Sequence, residues 1–400
     1  MSDAYAPRMD QCAEFVGSSR CAKFPDFRRM LENKEIDAVV VATPDHWHAL
    51  MTMMACATEK DVYVEKPLTL FQREGHWMKE VAKRTKRVVQ VGVQNRSGPN
   101  FQSAGERLRS GRIGEIVAVQ NTFMRNVSPG FGKPADCQPP EGLDYEMFLG
   151  PAPKKPYNPN RSLYHFRWFW DFSGGQMTNL GQHSLDLINF FLGVKAPKAV
   201  YSTGGRFFLK DNCEVPDTQD AIIEYPGFNA VCQYREASAG RKGLGMGGLV
   251  FNGTKGSLST GRSGYEITAD PKVNPINAVA KVLPVPHPVG GPQPVPDEEA
   301  GKFWTEPEVD ESGEALKDYR RHARNFLDCV KSRKAPIADL ESGHQVVTAC
   351  HLANISLRTG RKLVWNADKE AIVDDREANR MLVREYRAPW DKELKALIRS

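Results

Sequence analysis

Three short runs of β-branched residues constrain this chain more than anything else in it: I-D-A-V-V-V-A-T at 36–43, D-V-Y-V at 61–64 and V-V-Q-V-G-V at 88–93. None alternates apolar with polar positions, so none suits a sheet with one wet face. Near-continuous valine belongs to strands covered on both faces. Between them His46–Ala57 and Leu70–Lys83 carry helical patterning, and Pro7–Phe15 and Pro25–Leu31 do so ahead of the first strand. The order predicts a doubly wound α/β domain with a parallel sheet and right-handed crossovers.

The texture changes after about residue 95. A helix over Phe101–Arg109 leads to a strand around Ile113–Phe123, a Gly/Pro-rich loop (127–160) and a helix from Gly175 to Leu192. Strand-like segments follow at 198–209, 219–225, 229–236, 248–253 and 256–260. They predict an open, mainly antiparallel sheet with helices on one face, an α+β arrangement. Residues 284–300 are Pro-rich and read as an extended strap, and helices at 313–332 and 341–358 close the chain. The predicted division is 1–95 and 96–400, with the last helices packing back toward the first domain.

Four hundred residues at 40% hydrophobic content can fill two cores. The net charge of +5 is spread thinly, with no basic stripe interleaved with aromatics, so no nucleic-acid partner is expected. No apolar run approaches the length of a membrane span, and M-S-D-A-Y-A-P-R-M-D lacks signal-peptide features. The eight cysteines are scattered without a C-x-x-C pair, which suits reduced thiols and a cytoplasmic protein.

In open α/β sheets ligands lie outside the carboxyl ends of the strands. Two such ends carry chemistry here: V-A-T-P-D-H-W-H (41–48) and V-E-K-P (64–67). A third cluster, S-G-G-Q-M-T-N-L-G-Q-H-S-L-D (173–186), puts Asn179 and His183 four apart, on one face of a helix, with Asp186 on the same side. Taken singly, Asp45 reads as a helix cap, Trp47 as packing, Lys66 as a surface lysine and His183 as structural. Their conjunction points to a site. H-x-H at 46–48 raises a metal-dependent hydrolase, but Pro44 ends the strand and residues two apart diverge on a helix, so no metal is expected.

D-A-V-V-V-A-T-P-D-H-W-H, D-V-Y-V-E-K-P-L and G-G-Q-M-T-N-L-G-Q-H-S-L-D-L together resemble the Gfo/Idh/MocA family of oxidoreductases, and F-N-G-T-K-G-S-L (251–258) and H-A-R-N-F-L-D-C-V-K-S-R-K-A-P (322–336) extend the likeness. The resemblance implies a Rossmann domain binding NAD or NADP, NAD being favoured, and a C-terminal domain that offers the substrate. It implies oxidation of a secondary alcohol of a sugar or cyclitol, and a homo-oligomer, dimer or tetramer, formed through the C-terminal sheet. Carried over by position, Lys66 and His183 are the catalytic pair, with Asn179 where many members have Asp. Asp3, Thr43, Pro44, His46, His48, Glu65, Lys66, Pro67 and Gln94 fall on the cofactor side. Hydride loss from a carbinol also requires loss of the hydroxyl proton, hence a base within hydrogen-bond reach. A histidine suits that role, as does a lysine whose pKa is lowered by desolvation and a neighbouring cation. Asn179 can position a hydroxyl but cannot exchange a proton usefully.

Y-H-F-R-W-F-W-D-F (164–172) reads either as a core edge or as a sugar platform; Tyr164, Arg167 and Trp168, with Asn179 and His183, are the substrate-side candidates. Family members open on a strand, a Gly-rich turn and a helix, yet residues 1–40 hold no G-x-G-x-x-G. S-D-A-Y-A-P-R (2–8) instead resembles the end of the family's second strand, where Asp3 would grip the adenosine ribose. The expectation is a Rossmann-type sheet that is N-terminally incomplete; a mis-called start or an excised N-terminus accounts for it equally, and a leader upstream would permit export. Two other functions stay open: a redox-neutral NAD-dependent glycosidase, and a non-catalytic sugar-binding or assembly protein that has lost dinucleotide binding.

Overall fold

The computed structural model describes residues 1–17, 21–239, 248–272, 295 and 298–399. The three valine runs form a parallel sheet in the order β1 (Ala38–Val41), β2 (Asp61–Glu65), β3 (Val89–Gly92). Registers such as Val41↔Val64 and Val64↔Val91 align the carboxyl ends of all three. Helices α1 (Ala6–Val16) and α2 (Phe27–Leu31) precede β1, α3 (Asp45–Ala57) joins β1 to β2, and α4 (Gln72–Thr85) joins β2 to β3. Val62, Val64 and Leu68 are wholly buried, each contributing roughly 1.5–3 kcal/mol. Among the described residues β1 pairs only with β2, and Val40 stands 67% exposed on that edge.

After α5 (Pro99–Arg109) the chain builds β4 (Ile116–Met124), the short α6 (Tyr145–Leu149), then α7 (Gly175–Asn179) and α8 (Gly181–Leu192). Strands β5 (Ala199–Gly205), β6 (Thr218–Glu224), β7 (Asn229–Arg235), β8 (Leu249–Gly253), β9 (Gly256–Gly261), β10 (Gly264–Ala269) and β11 (Glu308–Asp310) follow. Two long helices, α9 (Ala315–Ser332) and α10 (Leu340–Thr359), lead to β12 (Leu363–Asn366), β13 (Ala371–Ile372), α11 (Arg376–Arg380) and α12 (Trp390–Arg399). The ten strands form one sheet, ordered β11-β10-β9-β8-β4-β7-β6-β5-β12-β13. All pairs are antiparallel except β4–β7, which run parallel from Ala118↔Asn229 to Met124↔Arg235. One face is covered by Phe101 of α5, Ile188 and Phe191 of α8, and Ala349 and Ala353 of α10, packed on Val119, Ile223, Phe251 and Leu258.

The late helices belong to both halves. α9 lays Phe326 and Cys329 on Tyr63 and Val88 of the parallel sheet, while Trp390 and Leu394 of α12 share a core with Trp47 and Leu50 of α3. The Pro-rich segment 284–300 lies outside the described residues except for 295 and 298–300.

Candidate active site

β2 delivers Glu65 and Lys66 out of the sheet, and the Lys66–Pro67 peptide that follows is cis. Lys66 Nζ crosses to the second domain and donates to both the backbone oxygen (2.8 Å) and Oδ1 (2.7 Å) of Asn179. The expected single helix over 175–192 is two helices, broken at Leu180 (φ −102°, ψ −35°). Asn179 is the last residue of α7, so its carbonyl is one of those a helix end leaves for an outside donor. The lysine supplies that donor. Asn179 and His183 therefore sit on successive helices rather than on one face of a single helix.

Burial pushes the Lys66 ammonium down to about 8; Asp45 and Glu65 work against the shift, and Arg167 and Arg262 add to it. Glu65 is itself raised by burial, and accepts from Gln94 Nε2 at 2.9 Å. Gln94 also donates to the Tyr63 hydroxyl at 3.0 Å. Gly92 makes this possible, because a Cβ there would come within 2.8 Å of the Glu65 carboxyl. Asp45 does not cap α3: its Oδ2 accepts from Ser173 Oγ in the second domain at 2.5 Å, and burial raises its pKa.

His48 stitches the two strand ends together, with Nδ1 2.6 Å from the Pro67 oxygen and Nε2 2.8 Å from that of Thr43. His46 faces elsewhere: Nε2 meets the Phe148 oxygen at 2.8 Å, the ring packs on Phe148 and Phe172, and burial pushes its pKa down to about 3. Thr43 Oγ1 is buried with no partner. It lines a cavity of about 240 Å³ together with Asp3, Pro44, Val40, Trp47 and Met147. Asp3 Oδ1 accepts the Tyr5 amide at 2.8 Å. An acid and an unsatisfied hydroxyl on one largely apolar cavity, which runs along β1 to its carboxyl end, fit a nucleoside with its ribose hydroxyls. Among the described residues no glycine lines it.

His183 projects from α8 into a second cavity of about 260 Å³, shared with Asn121, Tyr234, Thr260 and Arg262. Its Nδ1 is buried without a partner. Burial, then Lys66 and Arg262, hold its pKa well below the usual imidazole value, so the ring is a neutral acceptor. Asp186 does not join it: its carboxylate takes Arg96 at 2.8 Å in a fully buried pair. In the aromatic stretch Phe166, Trp168, Phe169 and Phe172 form a core with Phe148 and Val215, whereas Tyr164 is exposed and Arg167 lies over its ring. Arg125 stacks 5.2 Å over Trp168, whose Nε1 is buried without a partner. Arg262, in the β9–β10 turn, and the Asp45–Ser173 bond were not visible as site features in sequence. Nothing local marks them, and only the fold brings them to Lys66.

A parallel three-layer-type domain that hands a lysine across a crevice to an open mixed sheet defines a class: the two-domain, Rossmann-type oxidoreductase fold. The oxidoreductase-family model for the NAD-binding Rossmann fold matches residues 1–93, and that for the family's C-terminal alpha/beta domain matches 130–203 and 301–392. The chain belongs to the Gfo/Idh/MocA family. Scyllo-inositol 2-dehydrogenase (NAD(+)) of Bacillus subtilis is 34% identical over 117 residues, 29% of this chain and 34% of that enzyme. Myo-inositol 2-dehydrogenase of Thermotoga maritima is 27% identical over 129 residues, 32% of this chain and 38% of that enzyme. The chain thus aligns with about a third of the length of these relatives. Levoglucosan dehydrogenase, solved with NADH and levoglucosan, superposes with a TM-score of 0.65 at 17% identity, covering 91% of this chain and 88% of that one. At that identity the likeness is one of fold. Among the described residues no helix is long and apolar enough to cross a membrane.

Proposed function

We propose that this chain is an NAD(P)-dependent oxidoreductase, with NAD the favoured cofactor, acting on a secondary alcohol of a sugar or cyclitol. One observation carries the proposal: a lysine with its pKa brought to about 8 is pinned across the domain crevice, beside a neutral histidine with an unpartnered ring nitrogen. Asp3, Thr43, Pro44, His48, Glu65, Pro67 and Gln94 would hold the dinucleotide or shape its wall; His46 supports that wall from behind. Bound there, the nicotinamide ring supplies the hydride acceptor.

The residues of the chain handle the proton. Lys66 Nζ holds the substrate oxygen and stabilises the negative charge that grows on it as the C–H bond weakens. His183, neutral in its cavity, accepts the hydroxyl proton. Asn179 keeps Nζ aimed and, from its amide, orients a neighbouring hydroxyl. Tyr164 and Arg167 form the substrate's outer wall; Trp168, buried in the core beneath them, supports it rather than touching substrate. The proposal extends to a homo-oligomer through the open face of the large sheet, where Tyr201, Ile222 and Val364 stand exposed; light scattering tests it.

NADH formation followed with inositols and common hexoses tests the activity. Lys66→Ala should lose turnover, by roughly 10²-fold or more, with an unchanged circular dichroism spectrum. An active Lys66→Ala protein removes the lysine from the mechanism, and release of an aglycone without net NADH moves the chain to redox-neutral glycoside cleavage.

A further inference from the structure

The cavity beside His183 has an unusual charge balance. Among the described residues lining it Arg262 alone carries a full charge, and no aspartate or glutamate is among them. Arg262 makes no ion pair within 4 Å among the described residues. Asp318, the carboxylate that feels its charge, is bonded instead to Arg321 at 3.0 Å. Arg167, whose charge also reaches Lys66, likewise makes no ion pair with an acid among the described residues; its Nη1 donates to the Tyr164 oxygen. Three cations therefore converge on the crevice, and burial raises both nearby carboxylates, Asp45 and Glu65, toward their neutral forms.

Arg262 is exposed in the β9–β10 turn, yet it lines the same cavity as the unsatisfied His183 Nδ1, and its field reaches both His183 and Lys66. Asn121, Thr260 and the Tyr234 hydroxyl supply neutral hydrogen-bonding groups on the remaining walls, with Asn121 Nδ2 donating to Tyr234 at 2.6 Å. A guanidinium presents a planar fork that a carboxylate meets with two parallel, charge-assisted hydrogen bonds. About 260 Å³ accommodates part of a monosaccharide, not an extended chain.

Resting on the dehydrogenase reading above, we infer that the substrate is a carboxylated monosaccharide, a uronate or aldonate, whose carboxylate is held by Arg262 in the cavity next to His183. Arg262 is then a specificity-determining residue, selecting acid over neutral sugar at a distance from the reacting carbon. Arg167, outside the cavity lining, adds to the positive field at Lys66.

Calorimetric titration of the full chain at low ionic strength, with and without NAD⁺, tests this. The probes are D-glucuronate, D-galacturonate and D-gluconate beside D-glucose and D-galactose, with glucose 6-phosphate as a separate anion. At least one sugar acid should bind about ten-fold or more tightly than its neutral parent, and Arg262→Gln should erase that preference while leaving the neutral sugar's affinity in place. An absence of preference among all the acids, or a preference that survives Arg262→Gln, overturns the inference. Tighter binding of the phosphate than of every carboxylate overturns the carboxylate assignment. NADH formation judges the parent reading separately: an acid preference without turnover refutes the dehydrogenase and leaves the pocket standing.

Discussion

Replacing Lys66 with methionine should make the protein more stable at neutral pH and less stable at alkaline pH. The lysine's charge is held from an ordinary 10.5 down to about 8, so carrying it in the folded state costs ~3 kcal/mol at pH 7. Methionine fills much of the same volume without charge. Against that gain stand the two Asn179 oxygens, which lose their donor at about 1 kcal/mol each. The net at pH 7 is a stabilisation of ~1 kcal/mol. Because the folded pKa lies below the unfolded one, the unfolded chain binds more protons between about pH 8 and pH 10.5. Wild-type stability therefore rises through that window, and the penalty fades. By about pH 10 the lysine is largely neutral in the fold but still donates to Asn179, leaving the variant behind by ~1–2 kcal/mol. Denaturant midpoints of both proteins at pH 7 and pH 10 measure the difference, in which other titrating groups cancel. A difference of one sign, constant with pH, would mean that Lys66 is solvated like any surface lysine, and the proposed chemistry would lose its basis.

Asn179→Asp places a carboxylate where Oδ1 now accepts from Lys66, so the lysine pKa should rise above about 8 and the alkaline limb of the NADH-formation profile should move up by about one pH unit. An unmoved profile separates that limb from Lys66. His183→Gln should lower kcat by ~10²–10⁴ while dinucleotide affinity, read by fluorescence titration, stays put; a parallel loss of affinity would assign the ring to cofactor binding. Asp186→Asn strands the buried Arg96 charge and should cost ~3–5 kcal/mol in the denaturant midpoint, whereas a loss under 1 kcal/mol would show that water reaches the guanidinium.

Much of the first domain was legible because its strands are uniformly buried: 36–43, 61–64 and 88–93 map onto β1, β2 and β3 with ends shifted by a few residues. The second sheet was legible only in part. β10 is a six-residue strand entered through a glycine-containing turn, and β11, β12 and β13 are shorter still, so their periodicity is weak. The parallel β4–β7 contact joins residues about a hundred apart, which no local pattern encodes. The helix break at Leu180 escaped for a related reason. Gly181 weakens the helix there, but the compensating hydrogen bond comes from Lys66, more than a hundred residues away. Motif residues at strand ends could be nominated from sequence; Asp45's reach to Ser173 and Arg262's place beside His183 needed the folded chain.

Arg96 bears on how the molecule moves. From the turn after β3 it reaches Asp186 of α8, and its Nη1 donates to the Ile337 oxygen at 2.9 Å. His322 of α9 adds a bond to the Val91 oxygen at 2.9 Å, and the Leu68 amide donates to Gln182 Oε1 at 3.0 Å. Swinging the halves apart would break the Lys66–Asn179, Leu68–Gln182, Asp45–Ser173 and Val91–His322 bonds together, a penalty of ~4 kcal/mol at about 1 kcal/mol each, which keeps an open state below about one molecule in a thousand. The crevice is thus less a pair of jaws than a fixed die. Spin labels placed on the two halves should report one narrow distance whether or not sugar and dinucleotide are bound, and the pace of exchange should be set by loops at the rim.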